Sequence, residues 1–376
     1  MIRPNHSAWP VRALATGLFG LLALTACGGS SATTSSSAAP ASAAPTDASS
    51  AAPTDSASPA ASAAAPTTKL KAGLAFDLGG RGDQSFGASA GRGMDQAKKE
   101  LGVTDSEAQA VQAEPESAKE ERLRLLAQNG FNPVIAIGFA YGPSLAKIAP
   151  QFPKTNFAII DDNSAAGPNI ANLTFAENEG SFLVGAAAAL KSKTGNVGFI
   201  GGVQVPLLQK FQAGFEAGAK AAKPGIKVQS RYLTQPPDFS GFGDPAKAKT
   251  TADGMYQNGA DVIYTAAGGS GSGTFKSAKA NSKLAIGVDS DQALTADPGV
   301  RDVIITSMIK KVDVAVFDFL KSVSTGQFTA GQSVYDLKRG GVDYSKTGGK
   351  VDDIAAKLDA YKQQIISGSI KVPTAP

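Results

Sequence analysis

Residues 196–232 read NVGFIGGVQVPLLQKFQAGFEAGAKAAKPGIKVQSRY. The short apolar run at 196–200 ends in paired glycines and has the length and composition of a buried strand. Residues 205–222 form a helical stretch, on one face of which Phe211 and Phe215 read as core. A second strand follows at 226–232. Strand, helix and strand in this order make a βαβ unit, which implies parallel pairing and a right-handed crossover.

The alternation continues outward on both sides. Toward the N-terminus, 70–77 reads as a strand running into a glycine-rich turn at 78–82, and 85–101 as a helix followed by a loop. Residues 118–129 are helical with Leu123, Leu125 and Leu126 inward, 133–139 a buried strand, 142–152 a helix, 156–161 and 169–175 strands, and 180–191 a helix of small residues. Toward the C-terminus, 245–258 is helical, 261–266 is a strand entering a glycine-rich stretch at 267–273, 284–288 and 303–308 are strands, and 312–324 is a helix. Strands alternating with helices make an α/β protein with parallel sheets, and at this length two sheets are more natural than one.

The first 68 residues have a different character. Arg3 and Arg12 precede a short apolar run that ends in Leu24, Thr25, Ala26 and Cys27, followed by Gly28 and Gly29. A run this short with small residues at its end is the pattern of a signal peptide, residues 1–26, and not of a membrane-spanning helix. Leu-x-Ala-Cys resembles a bacterial lipobox, which implies acylation of Cys27, the only cysteine of the chain. Two or more acyl chains hold a protein on a membrane face stably. Residues 31–68 are Ala, Ser, Thr and Pro apart from Asp47 and Asp55, and cannot bury enough apolar surface to order. With Cys27 they form a lipidated tether over 27–68, about 30–35 Å in root-mean-square span for a flexible chain.

Composition excludes several chemistries. The single histidine, His6, and the single tryptophan, Trp9, both fall in the leader. The mature domain therefore lacks the parts of a Ser-His-Asp triad, a Cys-His pair, a histidine metal site or a zinc-thiolate site, and no disulfide is available. Catalysis by paired carboxylates or by Ser-Lys stays open. The formal charge is +4, and losing Arg3 and Arg12 leaves about +2, which is no nucleic-acid footprint.

Ligands of open α/β sheets bind beyond the carboxyl ends of the strands. Those positions hold Asp77, Asp161, the glycines after Ala267, and Asp289. Carboxylates there accept hydrogen bonds from hydroxyl and N–H groups and repel phosphate. The G-G-x-G-x-G spacing at 268–273 matches neither a P-loop nor a dinucleotide fingerprint, and suits close approach of backbone to a ligand.

Eight short stretches then coincide in order and spacing with one family: GGRGDQSF at 79–86, FAIID at 157–161, EGSFLVGA at 179–186, VGFIGG at 197–202, AAGGSG at 266–271, IGVD at 286–289, TSMIK at 306–310 and GGV at 340–342. The chain resembles the basic membrane protein family of ABC-transporter substrate-binding lipoproteins, whose characterised members bind purine nucleosides. The resemblance implies a type I periplasmic-binding-protein fold of two Rossmann-like lobes joined by three hinge strands, closing on a ligand. It assigns 69–173 and 309–330 to an N-terminal lobe, and 174–308 and 331–376 to a C-terminal lobe. It implies a monomer on the outer face of the cell membrane, with an ABC permease and ATPase as partners and no cofactor or metal.

The resemblance also implies the site. Phe86, in the Asp83-Gln84-Ser85-Phe86 motif, and Phe242, in GFGDP at 241–245, would sandwich a base. Asp161 would hold base nitrogens, Asp77 would line the same cleft, Asp289 and Lys310 would hold ribose hydroxyls, and a backbone amide at Gly268 would help. The family pattern has Asn where this chain has Gly87, a departure that bears on the base accepted. Read from the residues alone, Phe239 competes with Phe242, Asp291 with Asp289 and Lys311 with Lys310, and Asp77 and Asp161 could cap turns. Glu179 reads as a helix-start residue outside the site. A sugar or flavin receptor, a two-carboxylate nucleoside hydrolase and a sensory or surface role remain as alternatives.

Overall fold

The computed structural model describes residues 70–111 and 114–376. The leader, Cys27, the tether and Lys69 lie outside the described residues. Two six-stranded sheets carry the fold, each covered by helices.

The first lobe is built from β1 (Lys71–Phe76), α1 (Phe86–Leu101), β2 (Thr104–Ala108), α2 (Glu116–Gln128), β3 (Val134–Ile137), α3 (Gly142–Ile148), β4 (Phe157–Ile160) and β5 (Ile170–Phe175). The second contains α4 (Glu177–Lys191), β6 (Asn196–Val203), α5 (Pro206–Ala222), β7 (Lys227–Thr234), α6 (Pro245–Gln257), β8 (Val262–Ala266), α7 (Gly271–Ala280), β9 (Leu284–Asp289), the single turn α8 (Gln292–Thr295) and β10 (Ile304–Lys310). The chain then returns through α9 (Val312–Ser324), which packs on α1, and β11 (Gly331–Tyr335) to the first lobe. It ends with β12 (Val342–Tyr344) and α10 (Asp352–Ile366) on the second.

The strand orders are β2-β1-β3-β4-β5-β11 and β7-β6-β8-β9-β10-β12. Every pairing is parallel except β10 with β12. Both sheets thus follow the 2-1-3-4-5 doubly wound order, which places loops that can hold a ligand beyond the strand carboxyl ends. The central strands VIAI (β3) and FAII (β4) are wholly buried, as expected of strands covered on both faces. In the second lobe α4 and α5 touch backbone to backbone. A Cβ on Gly185 would stand 2.1 Å from the Phe215 carbonyl oxygen, and one on Gly214 2.1 Å from that of Asn178. This close approach explains the small-residue composition of α4.

Three connections cross between the lobes: after β5, after β10, and from β11 to β12. They are tied together. The Ala176 N–H donates to the Tyr335 carbonyl (3.1 Å), and the Lys311 N–H to the Gly341 carbonyl (2.9 Å). Glu179 accepts the Leu337 N–H at 2.9 Å, so it fastens the third connection and stays outside the ligand cleft.

Some expectations are corrected. Residues 331–376 do not all belong to the second lobe, because β11 pairs in parallel with β5 from Gly331↔Ala171 to Tyr335↔Phe175. The first and second lobe boundaries also shift slightly, since β5 runs to Phe175 and β10 to Lys310. The loop expected after α1 contains the polar edge strand β2. Leu125 is 46 % exposed and does not face the core. Among the described residues no helix is long and apolar enough to cross a membrane.

Candidate functional site

The strand carboxyl ends of the two sheets face each other across a cavity of about 90 Å³. The first lobe contributes Asp77 after β1, Asp83 from the β1–α1 connection, Phe86 at the start of α1, Phe139 after β3 and Asp161 after β4. The second contributes Gly268 after β8, Asp289 at the end of β9 and Lys310 at the end of β10. Leu207, Leu208 and Phe211 come from the first turns of α5, and Phe239 and Phe242 from the β7–α6 connection. All eight residues singled out by sequence, Asp77, Asp83, Phe86, Asp161, Phe242, Gly268, Asp289 and Lys310, line this one cavity.

Their roles differ. Lys310 is 1 % exposed. Its ammonium lies 2.5 Å from Asp161 Oδ2 and 3.2 Å from Glu177 Oε1. It also sits 5.1, 5.0 and 5.5 Å from the ring centres of Phe86, Phe175 and Phe211. Burial alone would lower its pKa, yet the surrounding Asp161, Glu177 and Asp289 carboxylates hold it well above the ordinary lysine value. A second cation, Lys210, reaches Glu177 Oε2 at 3.4 Å.

The carboxylates are under-partnered. Asp289 Oδ2 accepts the Ser85 hydroxyl at 2.9 Å, while Asp289 Oδ1 and Asp161 Oδ1 are buried with no hydrogen-bond partner. Burial pushes the Asp289 carboxyl up to about 7 against the pull of Lys310, and raises Asp161 in the same way. Both residues have left-handed backbones, φ 63° for Asp289 and 71° for Asp161. Non-glycine residues held there cost about 1–3 kcal/mol, a strain found mostly at functional positions.

Asp83 lines the cavity, but both its oxygens are engaged by backbone. They accept the N–H groups of Ser85 (2.8 Å), Gly87 (2.7 Å) and Ala88 (3.0 Å), fixing the start of α1 and hence Phe86. Asp77 accepts only the neighbouring Leu78 N–H at 2.8 Å, and burial raises its pKa. Of the competing pairs, Asp291 and Lys311 are both absent from this cavity, although Asp291 accepts the Thr347 hydroxyl on Oδ2 and keeps a buried, partnerless Oδ1, whereas Phe239 and Phe242 both line it. Phe139 packs edge-on to Phe242 (6.3 Å) and tilted to Phe239 (6.0 Å).

Phe211 and Phe215 are both core as expected, and Phe211, in the earlier turns of α5, also lines the cavity. Phe139 and Glu177 were missed. The strand-end rule applied to β3 and β5 points to both. Gly87 also has a structural reason: a Cβ there would stand 2.1 Å from the Gly80 carbonyl oxygen, so the turn before α1 occupies the space of any side chain.

The arrangement offers flat aromatic walls together with buried acceptors lacking donors. It suits a ligand with an aromatic face and several hydroxyl or N–H donors, and it repels phosphate. Among the described residues no group of His, Cys, Asp and Glu is arranged to hold a metal.

The family model for ABC transporter substrate-binding protein PnrA-like matches residues 70–375. The chain is 36 % identical over 324 residues to the ABC transporter nucleoside-binding protein BmpA of Lactococcus lactis subsp. cremoris, covering 82 % of this chain and 90 % of that protein. It is 34 % identical over 322 residues to the CD4+ T-cell-stimulating antigen of Listeria monocytogenes, with 81 % and 88 % covered. Among solved structures it resembles an ABC transporter solute-binding protein of Aeropyrum pernix, with a TM-score of 0.72 at 29 % identity over 81 % of this chain and 93 % of that one.

Proposed function

The chain belongs to the PnrA-like family of ABC transporter substrate-binding proteins, and on that premise we propose that its cavity binds a nucleoside, with purines favoured. Proteins of this class bind and deliver a solute and are not enzymes. The observation that carries the nucleoside reading is the pair of buried, partnerless oxygens, Asp161 Oδ1 and Asp289 Oδ1, in a cavity walled by Phe86, Phe139, Phe239 and Phe242. An aromatic base matches the rings, and ribose hydroxyls and base N–H groups are the missing donors.

In this reading Phe86 and Phe242 stack the base, each contributing about 1–3 kcal/mol. Asp161 accepts from base nitrogens. Asp289 accepts from ribose hydroxyls, Lys310 orients both carboxylates and reaches the sugar, and Gly268 offers backbone. Asp77 borders the base edge, while Asp83 acts by holding Phe86. The lobes close on the ligand about the three connections. With the leader 1–26 removed and Cys27 acylated, residues 27–68 tether the monomeric receptor to the outer face of the cell membrane, where it serves a permease with its ATPase.

The test is calorimetric titration of protein that has been unfolded and refolded to strip carried ligand, using guanosine and uridine. Saturable one-to-one binding, tighter for guanosine, is expected. Absence of binding to both sinks the nucleoside reading while leaving the family intact.

A further inference from the structure

Beside the cavity lies a second chamber of about 250 Å³. The two share Asp77, Leu78 and Phe239 as walls. Glu114 and Lys119 of the first lobe and Asp238 of the second add charged groups to it. The chamber adjoins the end of the cavity at Asp77 and Phe239. The opposite end, at Asp289 and Lys310, borders a different hollow that includes Arg92 and Lys311.

The chamber has an acidic bias. Glu114 is paired with Arg122, and Lys119 with Glu116 at 3.3 Å. Among the described residues Asp77 and Asp238 have no cationic partner within ion-pair distance. Asp77 uses Oδ1 on the Leu78 N–H, and Asp238 uses Oδ1 on the Ser240 N–H, which leaves each carboxylate an oxygen for a ligand. An aromatic ligand anchored by its donor-rich end at Asp289 therefore points its other edge toward a space larger than the cavity itself, lined by acceptors from both lobes.

We propose that the site takes nucleosides whose base carries an extended, donor-bearing or cationic substituent, which passes Asp77 and Phe239 into the second chamber. This rests on the nucleoside reading above. It specifies a class of base-modified ligand: amine-bearing chains are accepted, and acidic ones are rejected by Asp77 and Asp238.

The test compares, by calorimetry on the refolded protein, adenosine with two derivatives that carry an aminohexyl chain, one on the exocyclic nitrogen and one on carbon eight. At least one derivative is expected to bind as tightly as adenosine or more tightly. Acetylating its amine should weaken it by about two- to five-fold, the range of an exposed ion pair. Asp238→Asn should remove that difference and leave adenosine binding unchanged. If adenosine binds and both derivatives lose about 100-fold or more, the chamber does not continue the site and the proposal is overturned. If neither adenosine nor either derivative binds although guanosine does, the extended base is not accepted and the proposal is overturned; if guanosine and uridine fail as well, the nucleoside reading itself is removed, and this proposal with it.

Discussion

Replacing Lys310 with Met keeps a long unbranched side chain in the same buried space but removes its ammonium. Asp161, now 2.5 Å from that ammonium, and Asp289 lose their cation, and Glu177 retains only Lys210 at 3.4 Å. Breaking a buried ion pair by deleting one partner costs about 3–5 kcal/mol, because the remaining charge is left desolvated. At about 2–4 °C per kcal/mol for domains of comparable size, the melting temperature should fall by roughly 6–20 °C. The loss should depend on pH. Burial already raises the folded Asp289 carboxyl to about 7 with Lys310 present. A carboxyl whose folded pKa lies above its unfolded value of about 3.9 destabilises the fold increasingly as pH rises between the two. Without Lys310 the folded pKa of Asp289 and Asp161 moves further up, so the penalty continues to grow above neutrality. Lys310 itself has a raised folded pKa, and its contribution in the wild type is therefore intact across this range. The gap between wild type and Lys310→Met should thus be wider near about pH 8 than near about pH 5. Far-ultraviolet circular dichroism melts at the two pH values read it directly. A gap below about 3 °C at the higher pH, where even 3 kcal/mol predicts twice that, or one that widens on acidification, would refute the reasoning.

Two other substitutions probe the frame around the site. Gly87→Asn restores the residue of the family pattern, but its Cβ meets the Gly80 carbonyl oxygen at 2.1 Å. It should lower both the melting temperature and the affinity for guanosine, and unchanged values would mean that the turn before α1 yields freely. Thr295→Val removes a hydroxyl that the second lobe donates to the Gln84 carbonyl of the first at 3.0 Å, outside the cavity. Every ligand should weaken by the same factor of about two- to ten-fold, through faster dissociation in stopped-flow displacement. A changed ratio between guanosine and uridine would instead mean that Thr295 influences the ligand site itself.

Where burial is continuous, the sequence was enough to read the fold. VIAI and FAII can only be central strands, and the rule that ligands sit beyond strand carboxyl ends led to Asp77, Asp161 and Asp289 without a family. The edge strands were another matter. TDSEA in β2 and GQSVY in β11 each pair on one side only and show neither a continuous apolar run nor a clean alternation. Nothing local distinguishes them from loops, and β11 was consequently given to the wrong lobe. Within the site, the contact of Lys310 with Asp161 spans 149 residues of chain, a pairing no spacing rule contains. Phe211 shows a different obstacle. Its place on an amphipathic helix predicts burial correctly, but burial against the core and burial against a cleft look the same in a linear pattern.

Three aspartates, Asp161, Asp289 and Asp291, each keep a buried oxygen without a partner, and the two that line the cavity, Asp161 and Asp289, occupy the same place in their respective lobes. In the strand orders β2-β1-β3-β4-β5-β11 and β7-β6-β8-β9-β10-β12, β4 and β9 are the fourth members. Asp161 directly follows β4 and Asp289 ends β9. Each has a left-handed backbone, and each leaves one buried oxygen without a partner. A strand that ends in such a residue turns its last side chain away from the sheet's own continuation and toward the opposing lobe. Because the sheets face each other by their carboxyl ends, the two turned side chains converge, with Lys310 between them at the end of β10. The similar strain and the similar loss of hydration in both lobes argue that each carboxylate awaits a partner from outside the protein. A carboxylate needed only to cap its own turn would have its hydrogen bonds satisfied locally, as those of Asp83 are by Ser85, Gly87 and Ala88.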